Sequence, residues 1–439
     1  MICPYCKGNL QLQDEIEAND EEITHGIVDC ACTSYPILAG ILNLRYGRLF
    51  EQIVRRLRER KRIEAIGLGL EERMTETTLA VINTLRSKGI YGKALAQTFL
   101  RLLELKAQRA YERFADEDAS FHDLMGRSDF ETYLKHRFSL ESFWSLYPFL
   151  RLLKENSHSI LDFGCGTGHG SFVISTYAKP NELVCVDYSL RNLLMVKKFF
   201  APNAECICLD GNYPLPFESE VFDSILTLDS FHYVRNQASL AQEMQRVLKD
   251  KGVLLMLHLH NSLAENPSAG HPLPPRTIAS LLRDLPLQML PERELLQEFL
   301  EGNCLDLRKT HSETELDSSE ALTIVASRNN RIFRHFHDVA NEFLSCDTNL
   351  IVNPIYQIKH ENTKIILRHF PNESFRKEFP IAEKYLPPQW TLDNEFASKM
   401  HGRKLARKLT QVPYSTYEKS LMMKFIIINA PERYISNSS

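Results

Sequence analysis

The sequence has no long hydrophobic run. No uninterrupted apolar stretch in its 439 residues approaches the roughly 20 residues that a helix needs to cross a bilayer. The first residues also lack the apolar centre of a secretory signal peptide. We therefore expect a cytoplasmic protein with no membrane partner.

The chain also has little net charge. Its formal charge of −4 gives no overall basic surface for nucleic acid. Hydrophobic residues make up 44% and charged residues 25%, a balance typical of globular proteins. We find no internal repeat and no low-complexity tract. A chain of this length exceeds one ordinary hydrophobic core, which predicts several domains.

The cysteines are unevenly distributed. Four of the ten, Cys3, Cys6, Cys30 and Cys32, lie in the first 32 residues. In a cytoplasmic chain, cysteines more often bind metal or remain free thiols than form disulfides. Two close pairs of thiolates suit tetrahedral Zn²⁺, and so short a segment has too little core to fold without such a crosslink. We predict a structural zinc site, with a metal-free fold as the alternative.

Periodicity predicts an α/β protein in four parts. Residues 45–157 carry apolar residues at spacings of three and four, which indicates a helical cap. Residues 158–329 alternate short β runs with helical stretches, which indicates a parallel sheet covered on both faces. Within them, LDLRKT and ALTIVAS are interpreted as a hairpin. The predicted domains are 1–44, 45–157, 158–329 and a C-terminal accessory α+β domain, 330–439, which opens with a helix at IFRHFHDVANEFL.

The glycine-rich turn LDFGCGTGHG (161–170) follows the first β run of the predicted sheet. Its glycines let the backbone turn sharply and approach a ligand where side chains would collide. Asp162 lies inside this turn, where its carboxylate can position the turn and a cationic ligand. Such a turn alone fits a dinucleotide as well as a methyl donor.

Acidic residues end the next two β runs. Asp187 ends VCVD, a usual place for an acid that accepts hydrogen bonds from ribose hydroxyls. Asp210 ends CICLD, where an acid can bond an adenine amine. Because the carboxyl ends of parallel strands open onto one crevice, these acids and the glycine turn are expected to face the same ligand.

With these features, residues 158–329 resemble the class I S-adenosylmethionine-dependent methyltransferases. VFDSILTLDSFHYV and QEMQRVLKDKGVLLMLH extend the resemblance to the fourth and fifth strands. It implies a Rossmann-like, seven-stranded core that binds the donor across strands one to three and the acceptor over strands four and five. The implied donor-binding residues are Asp162, Gly164, Cys165, Gly166, Gly168, Asp187, Tyr188, Asp210 and Gly211.

Two further donor contacts are candidates in the cap segment YLKHRFS (133–139). In many enzymes of this class such a segment covers the donor, so Tyr133 and Arg137 could bind its carboxylate. The alternative is an amphipathic helix whose charged face is solvated.

The N-terminal segment resembles the small zinc-ribbon proteins that activate methyltransferases, through CPYC and YPILAGI. The family usually places two or more residues between the second pair of cysteines, whereas here only Ala31 intervenes. The resemblance implies a ribbon that is structural or docks on the methyltransferase core.

The acceptor chemistry is expected where strands four and five end. The run VLLMLHLHN places His258 and His260 on one face, with His260 at the edge as a base or hydrogen-bonding group and His258 one layer deeper. Asp229 and His232 lie in the loop after strand four. A structural histidine pair and a metal site are the alternatives. NPIY (353–356) is interpreted as a turn into a C-terminal β run.

The sequence thus predicts a methyltransferase acting on a small-molecule acceptor. The second hypothesis is an RNA methyltransferase, in which Arg55, Arg56, Arg58, Arg60 and Arg62 would hold phosphates. The third is a non-catalytic scaffold that keeps the fold.

Overall fold

The computed structural model describes residues 1–19, 22–179, 182–265, 269–345, 349–359, 364–405 and 414–436. Within this part of the chain, one mixed sheet of eleven strands runs through the molecule. No helix there is long and apolar enough to cross a membrane.

The N-terminal segment supplies four antiparallel strands at one edge of this sheet. They are β1 (Gln11–Ala18), β2 (Ile23–Asp29), β3 (Ser34–Leu38) and β4 (Ile41–Asn43). The inward face buries Ile27, Leu38 and Ile41 completely.

Helices dominate the next hundred residues. They are α1 (Arg48–Arg58), α2 (Arg62–Leu70), α3 (Glu72–Arg86), α4 (Gly89–Ala115), α5 (Phe121–Leu124), α6 (Asp129–His136), α7 (Glu141–Trp144) and α8 (Leu150–Asn156). The start of α6 is fixed by a capping box, in which Ser128 accepts the Glu131 N–H and the Glu131 carboxylate accepts the Ser128 N–H. This cap sets which α6 side chains face the core.

The central region alternates strands and helices as predicted. Its elements are β5 (Ile160–Phe163), α9 (His169–Ser175), β6 (Leu183–Asp187), α10 (Leu190–Met195), β7 (Glu205–Cys208), β8 (Phe222–Leu228), α11 (Gln237–Val247), β9 (Leu248–His260), α12 (Pro275–Leu281), β10 (Leu287–Pro291), α13 (Glu292–Gly302), β11 (Cys304–Asp306), α14 (Glu313–Ser318) and β12 (Ala321–Ala326). The strand order is β7-β6-β5-β8-β9-β12-β10, and β12 runs antiparallel to both neighbours. The predicted Rossmann-like, seven-stranded core is confirmed.

Hydrogen bonds join the N-terminal strands to this core. β4 pairs in parallel with β7, with Leu42 opposite Ile207, and the Leu44 N–H donates to the Cys208 carbonyl at 2.7 Å. The N-terminal segment and the core therefore share one continuous sheet.

The C-terminal region forms smaller sheets and short helices. Its elements are β13 (His335–His337), α15 (Ala340–Leu344), β14 (Asn349–Val352), β15 (Tyr356–Lys359), β16 (Ile365–Arg368), α16 (Glu373–Glu378), α17 (Pro380–Tyr385), β17 (Gln389–Thr391), α18 (Asn394–Ser398), β18 (Met400–His401), β19 (Lys404–Leu405), α19 (Thr416–Met423) and β20 (Ile427–Ala430). It packs on the helical cap through a stacked ring pair, Trp144 and Phe425, at 4.1 Å. Asn353 of NPIY is buried and bonds Ser139 at 2.6 Å, as a structural turn does.

Two element predictions were wrong. The predicted hairpin does not form, because β12 pairs with β9 and the unpredicted β10, while β11 pairs with β13. The predicted helix at residues 332–344 begins only at Ala340, because residues 335–337 are recruited as the strand partner of β11 and Asp338 takes a left-handed φ of 54°. Both errors come from partners distant in sequence, which local periodicity does not report.

Candidate active site

A cavity of about 950 Å³ opens at the carboxyl ends of β5, β6, β7, β8 and β9. This volume is at the upper end of the usual range for small-molecule sites. Its lining comes from the strand-end loops, from α6 in the helical cap and from the end of α16 in the C-terminal region.

The glycine turn forms the floor at one end. Gly164, Gly166 and Gly168 all have left-handed backbones, with φ of 70°, 56° and 102°. A Cβ added to Gly164 would lie 2.4 Å from Ser230 Oγ, whereas one added to Gly166 would meet nothing within 4 Å. The turn therefore requires glycine and leaves its backbone open to the cavity.

The two strand-end acids line the same end of the cavity. Asp187 accepts the Gly166 N–H at 2.9 Å and the Ser189 N–H at 2.8 Å, so it fixes the glycine turn. Burial raises the pKa of Asp187, and these hydrogen bonds oppose the shift. Asp210 accepts the Asn212 N–H at 2.9 Å. Gly211 follows it in the lining.

Asp162 and Cys165 lie differently. The Asp162 carboxyl is buried beneath the turn, where it accepts the Ser171 hydroxyl at 2.6 Å, and burial raises its pKa to about 8. It supports the turn from behind, so this position does not favour the predicted contact with a cationic ligand. Cys165 lines the cavity, and burial raises the pKa of its thiol, as expected of a packing residue.

Tyr188 connects the end of the cavity that holds the glycine turn to the N-terminal region. The Arg45 guanidinium stacks over the Tyr188 ring at 3.4 Å and donates to the Tyr188 carbonyl at 2.7 Å. Arg45 is itself buried and paired with Glu72. The residue after Asp187 is thus held by an arginine that follows β4 closely in the sequence.

Asp229 is the centre of a second group of residues in the cavity lining. One oxygen, Oδ2, accepts Tyr133 Oη at 2.6 Å and Arg137 Nη1 at 3.2 Å, and Oδ1 lies 3.3 Å from His260 Nε2. Burial alone would raise the pKa of Asp229, but His258, His260 and Arg137 together hold it well below its usual range. Asp229 is therefore an anion, and its φ of 55° is a strained conformation that cavity contacts hold in place.

Tyr133 and Arg137 consequently face the cavity. The Arg137 side chain is 11% exposed, and its guanidinium lies 5.0 Å from the Tyr133 ring. The alternative of a solvated helix face is therefore wrong. Binding of the donor carboxylate by these two residues stays a prediction.

His258 is an ion-paired histidine. Its Nδ1 lies 2.7 Å from Glu292 Oε1, and its φ of 53° interrupts the regular strand. Burial lowers the pKa of His258, but the Glu292 and Asp229 carboxylates outweigh it and raise the pKa to about 9. His258 therefore carries a positive charge at neutral pH, 4.8 Å from the His260 ring.

His232 completes the cluster in the neutral form. Burial lowers its pKa to about 4, and its ring lies 4.5 Å from His260. Ligand atoms of Asp229, His232 and His260 lie within 4.8 Å of one another, a spacing that metal ligands can have. However, Asp229 is already bonded by Tyr133, Arg137 and His260, so the donor set does not favour a metal over this ion-pair network.

The four N-terminal cysteines converge. Their sulfur atoms lie within 4.8 Å of one another, with Cys3 and Cys32 at 3.6 Å and Cys6 and Cys30 at 3.8 Å. Tetrahedral zinc with bonds of about 2.3 Å places its sulfur ligands ~3.8 Å apart. The cluster fits zinc, and both Cys30 and Cys32 reach it despite the single intervening residue.

The arginines considered for RNA binding face carboxylates. Arg56 is buried among Glu59, Glu64 and Glu104. Three others also pair with carboxylates: Arg55 with Glu59, Arg60 with Asp14 and Arg62 with Glu17. Arg58 instead bonds the Ser34 hydroxyl. An RNA phosphate would have to displace these partners.

Sequence reasoning missed three contributors to the site. Glu292 begins α13 and pairs with His258, and Glu378 and Phe379 line the cavity from the end of α16. No motif marks them, since they reach the site only through the packing of distant segments.

Comparisons with known proteins agree with this geometry. Residues 161–256 match the family model described as a methyltransferase domain. The chain is 28% identical over 153 residues to demethylmenaquinone methyltransferase of Thermotoga maritima, which covers 35% of this chain and 61% of that protein. It is 30% identical over 145 residues to an uncharacterized methyltransferase of Schizosaccharomyces pombe, covering 30% of this chain and 50% of that protein.

Among solved structures, an S-adenosylmethionine-dependent methyltransferase from Mesorhizobium loti aligns with this chain at 16% sequence identity and a TM-score of 0.33. The alignment covers 42% of this chain and 98% of the Mesorhizobium loti chain. The chain spans only about half to three-fifths of the length of the two curated relatives. Residues 161–256 thus resemble a methyltransferase domain, and this match covers less than half of the chain.

Proposed function

We propose that this protein transfers the methyl group of S-adenosylmethionine to a small-molecule acceptor, with His260 as the base. The Asp229–His260 pair, which faces the glycine turn across one cavity, carries this proposal. S-adenosylmethionine would supply an electrophilic methyl group on a sulfonium. The protein's contribution is then to position the acceptor and remove its proton.

The donor would lie along the glycine turn. The open backbone at Gly166 and the cavity-lining acids fit its parts: Asp187 for the ribose hydroxyls, Asp210 and Gly211 for the adenine. Arg137, with Tyr133, would bind the donor carboxylate. The remaining lining residues at this end, Gly164, Cys165, Gly168 and Tyr188, shape the turn and its edge.

His260 would act through its free nitrogen. Because the Asp229 carboxylate faces Nε2, it favours the tautomer that carries the proton there and leaves the Nδ1 lone pair for the acceptor. The positively charged His258 ring lies 4.8 Å from the His260 ring, and the His232 ring lies 4.5 Å from it, so both would help to position the base.

A small acceptor fits better than nucleic acid. The cavity is lined by α6 and by the end of α16, and the arginines of α1 are engaged with carboxylates. The Thermotoga maritima relative is named for a small molecule, demethylmenaquinone. For these reasons RNA methylation is the second hypothesis.

Zinc on Cys3, Cys6, Cys30 and Cys32 would be structural, holding the ribbon (1–44) that extends the core sheet. The remaining functional units would be the cap (45–157), the methyltransferase core (158–329) and the accessory domain (330–439). Elemental analysis of the purified protein tests the metal. Cys32→Ser should lose zinc while Cys304→Ser, a thiol outside the cluster, keeps it; zinc-free wild type that is folded and active contradicts the proposal.

The activity is tested with methyl-labelled donor and calorimetry. His260→Ala should lower turnover by roughly 10²–10⁴ with donor affinity retained. His337→Ala, an exposed histidine far along the chain, serves as the control. If wild-type protein fails to bind S-adenosylmethionine, the methyltransferase proposal is wrong and the scaffold hypothesis returns.

A further inference from the structure

Aromatic rings form one wall of the cavity beside the base. Phe130, Tyr133 and Phe379 line it in a row, with ring centroids 6.2 Å apart for the first pair and 5.9 Å for the second. The planes are within 21° and 26° of parallel, so the three rings have similar orientations along this wall. Because Tyr133 also bonds Asp229, this surface begins beside the carboxylate that contacts His260.

The C-terminal region supplies and anchors one of these rings. The Glu141 carboxylate in the cap is buried and accepts the backbone N–H groups of Ile381 at 3.2 Å and Ala382 at 2.7 Å. Phe379 also packs against the buried Phe375 at 5.0 Å. Two hydrogen bonds to a buried carboxyl group and a core ring thus hold the segment that carries Phe379, so its ring is a built part of the cavity.

Charged groups around His260 select the acceptor atom. His258 and Arg137 are cations that face Asp229 from two sides, so an acceptor oxygen that loses its proton here would be stabilised. An aryl hydroxyl, with a pKa of about 10, gives up its proton to a histidine base far more readily than an alkyl hydroxyl does.

The same charges disfavour other nucleophiles. A protonated amine would bring a third cation beside His258 and Arg137. A carboxylate acceptor would meet the carboxyls of Asp229 and Glu378, which both line the cavity. Hydroxyl oxygen is therefore the nucleophile that this end of the cavity suits.

We propose that the acceptor is a planar aromatic compound carrying a hydroxyl group, held against the Phe130–Tyr133–Phe379 surface, and that the product is an aryl methyl ether. This inference rests on the proposed methyltransferase function. It gives the C-terminal region a role in acceptor recognition.

The step balances as a substitution. The aryl O–H proton passes to His260 Nδ1, the oxygen forms a bond to the methyl carbon, and the carbon–sulfur bond of the sulfonium breaks. The bonding electrons stay on sulfur, which leaves as the neutral thioether S-adenosylhomocysteine. His260 then releases its proton to water.

The acceptor class is tested with a matched set on one ring skeleton: 2-naphthol, 2-naphthylamine, 2-naphthoate and 2-decalol. Each is incubated with the full-length protein and ¹³C-methyl donor, alone and beside fractionated cell extract. The ¹³C shift of each product distinguishes an aryl ether from an N-methyl, ester or C-methyl group. Aryl ether as the main product supports the inference. Another product class, or no turnover of any aryl hydroxyl while calorimetry shows donor binding, overturns it and leaves the donor site standing.

The role of Phe379 is tested by Phe379→Leu, which keeps an apolar side chain but removes the ring. KM for the aryl acceptor should rise about 10-fold with little change in kcat and in donor affinity. Phe370→Leu, a half-buried ring of the same region outside the cavity lining, is the control. Equal effects of the two substitutions would overturn the assignment, since they would report packing alone. Loss of donor binding by the wild type would instead refute the proposed function.

Discussion

The two ends of the cavity are built in opposite ways. Apart from Tyr133 and Arg137, which are proposed to bind the donor carboxylate, the proposed donor end comes from one stretch, residues 163–211, in which each loop follows its own strand. The acceptor end gathers α6, the loop after β8, the end of β9, the start of α13 and the end of α16. The donor end relies on backbone geometry, and the acceptor end on charged side chains that balance one another. One end can thus stay constant while the other is adapted to a particular acceptor.

The sharpest way to separate the two ends is Asp229→Asn. The amide keeps the shape but removes the anion that orients His260 and balances Arg137. Turnover should fall by roughly 10²–10⁴. Donor affinity, measured by calorimetry, should change far less. An equal loss of donor affinity would place Asp229 at the donor end and break the comparison.

The charge balance at the acceptor end also predicts a pH dependence of stability. His258 has a folded pKa of about 9, above its ordinary value of 6.5, so its pairing with Glu292 contributes stability that is complete below about pH 6.5. This contribution is lost as pH rises through 9, and the shift is worth ~3 kcal/mol. The difference in unfolding free energy between wild type and His258→Gln should therefore shrink across this window in urea titrations.

Glu292→Gln is the matched variant for this prediction. It removes the other half of the pair, so its stability deficit should shrink over the same pH range. A deficit that stays constant between pH 6 and about 9.5 in both variants would show that His258 is neutral in the folded protein.

The donor end should respond to a change of backbone instead. Gly164→Ala forces a left-handed residue to carry a Cβ 2.4 Å from Ser230 Oγ. Such strain costs about 1–3 kcal/mol, which predicts a loss of S-adenosylmethionine affinity of about 10- to 100-fold. Gly170→Ala is the control, because its Cβ would meet only ordinary contacts, the nearest at 3.6 Å. Equal affinity of the two variants would refute a strained, glycine-dependent turn.

The same contrast explains what the sequence could predict. The sequence predicts the succession of strands along the chain, the glycine turn and the acids Asp187 and Asp210. Each of these is a local pattern, because backbone geometry sets its residue types and their spacing. His258 and His260 could be placed at a strand end, but the charge on His258 depends on Glu292 from α13. Phe379 carries no local pattern at all. Hydrogen bonding of β4 to β7 was equally hidden, because strand pairing between distant segments leaves no periodicity.

The smallest effect is expected where Arg45, just after the N-terminal strands, approaches the proposed donor end. Arg45 stacks on the Tyr188 ring at 3.4 Å and bonds its carbonyl, so Arg45→Lys keeps the charge but loses the planar contact. A buried cation–π contact is worth about 0.5–2 kcal/mol, which predicts a several-fold weaker affinity for S-adenosylmethionine and unchanged kcat at saturation. Arg48→Lys, an exposed arginine of α1, should have no effect. If Arg45→Lys instead lowers kcat and leaves donor affinity intact, Arg45 acts on the acceptor end. The donor end would then not depend on its own strand-end loops alone, and the contrast between the two ends would no longer hold.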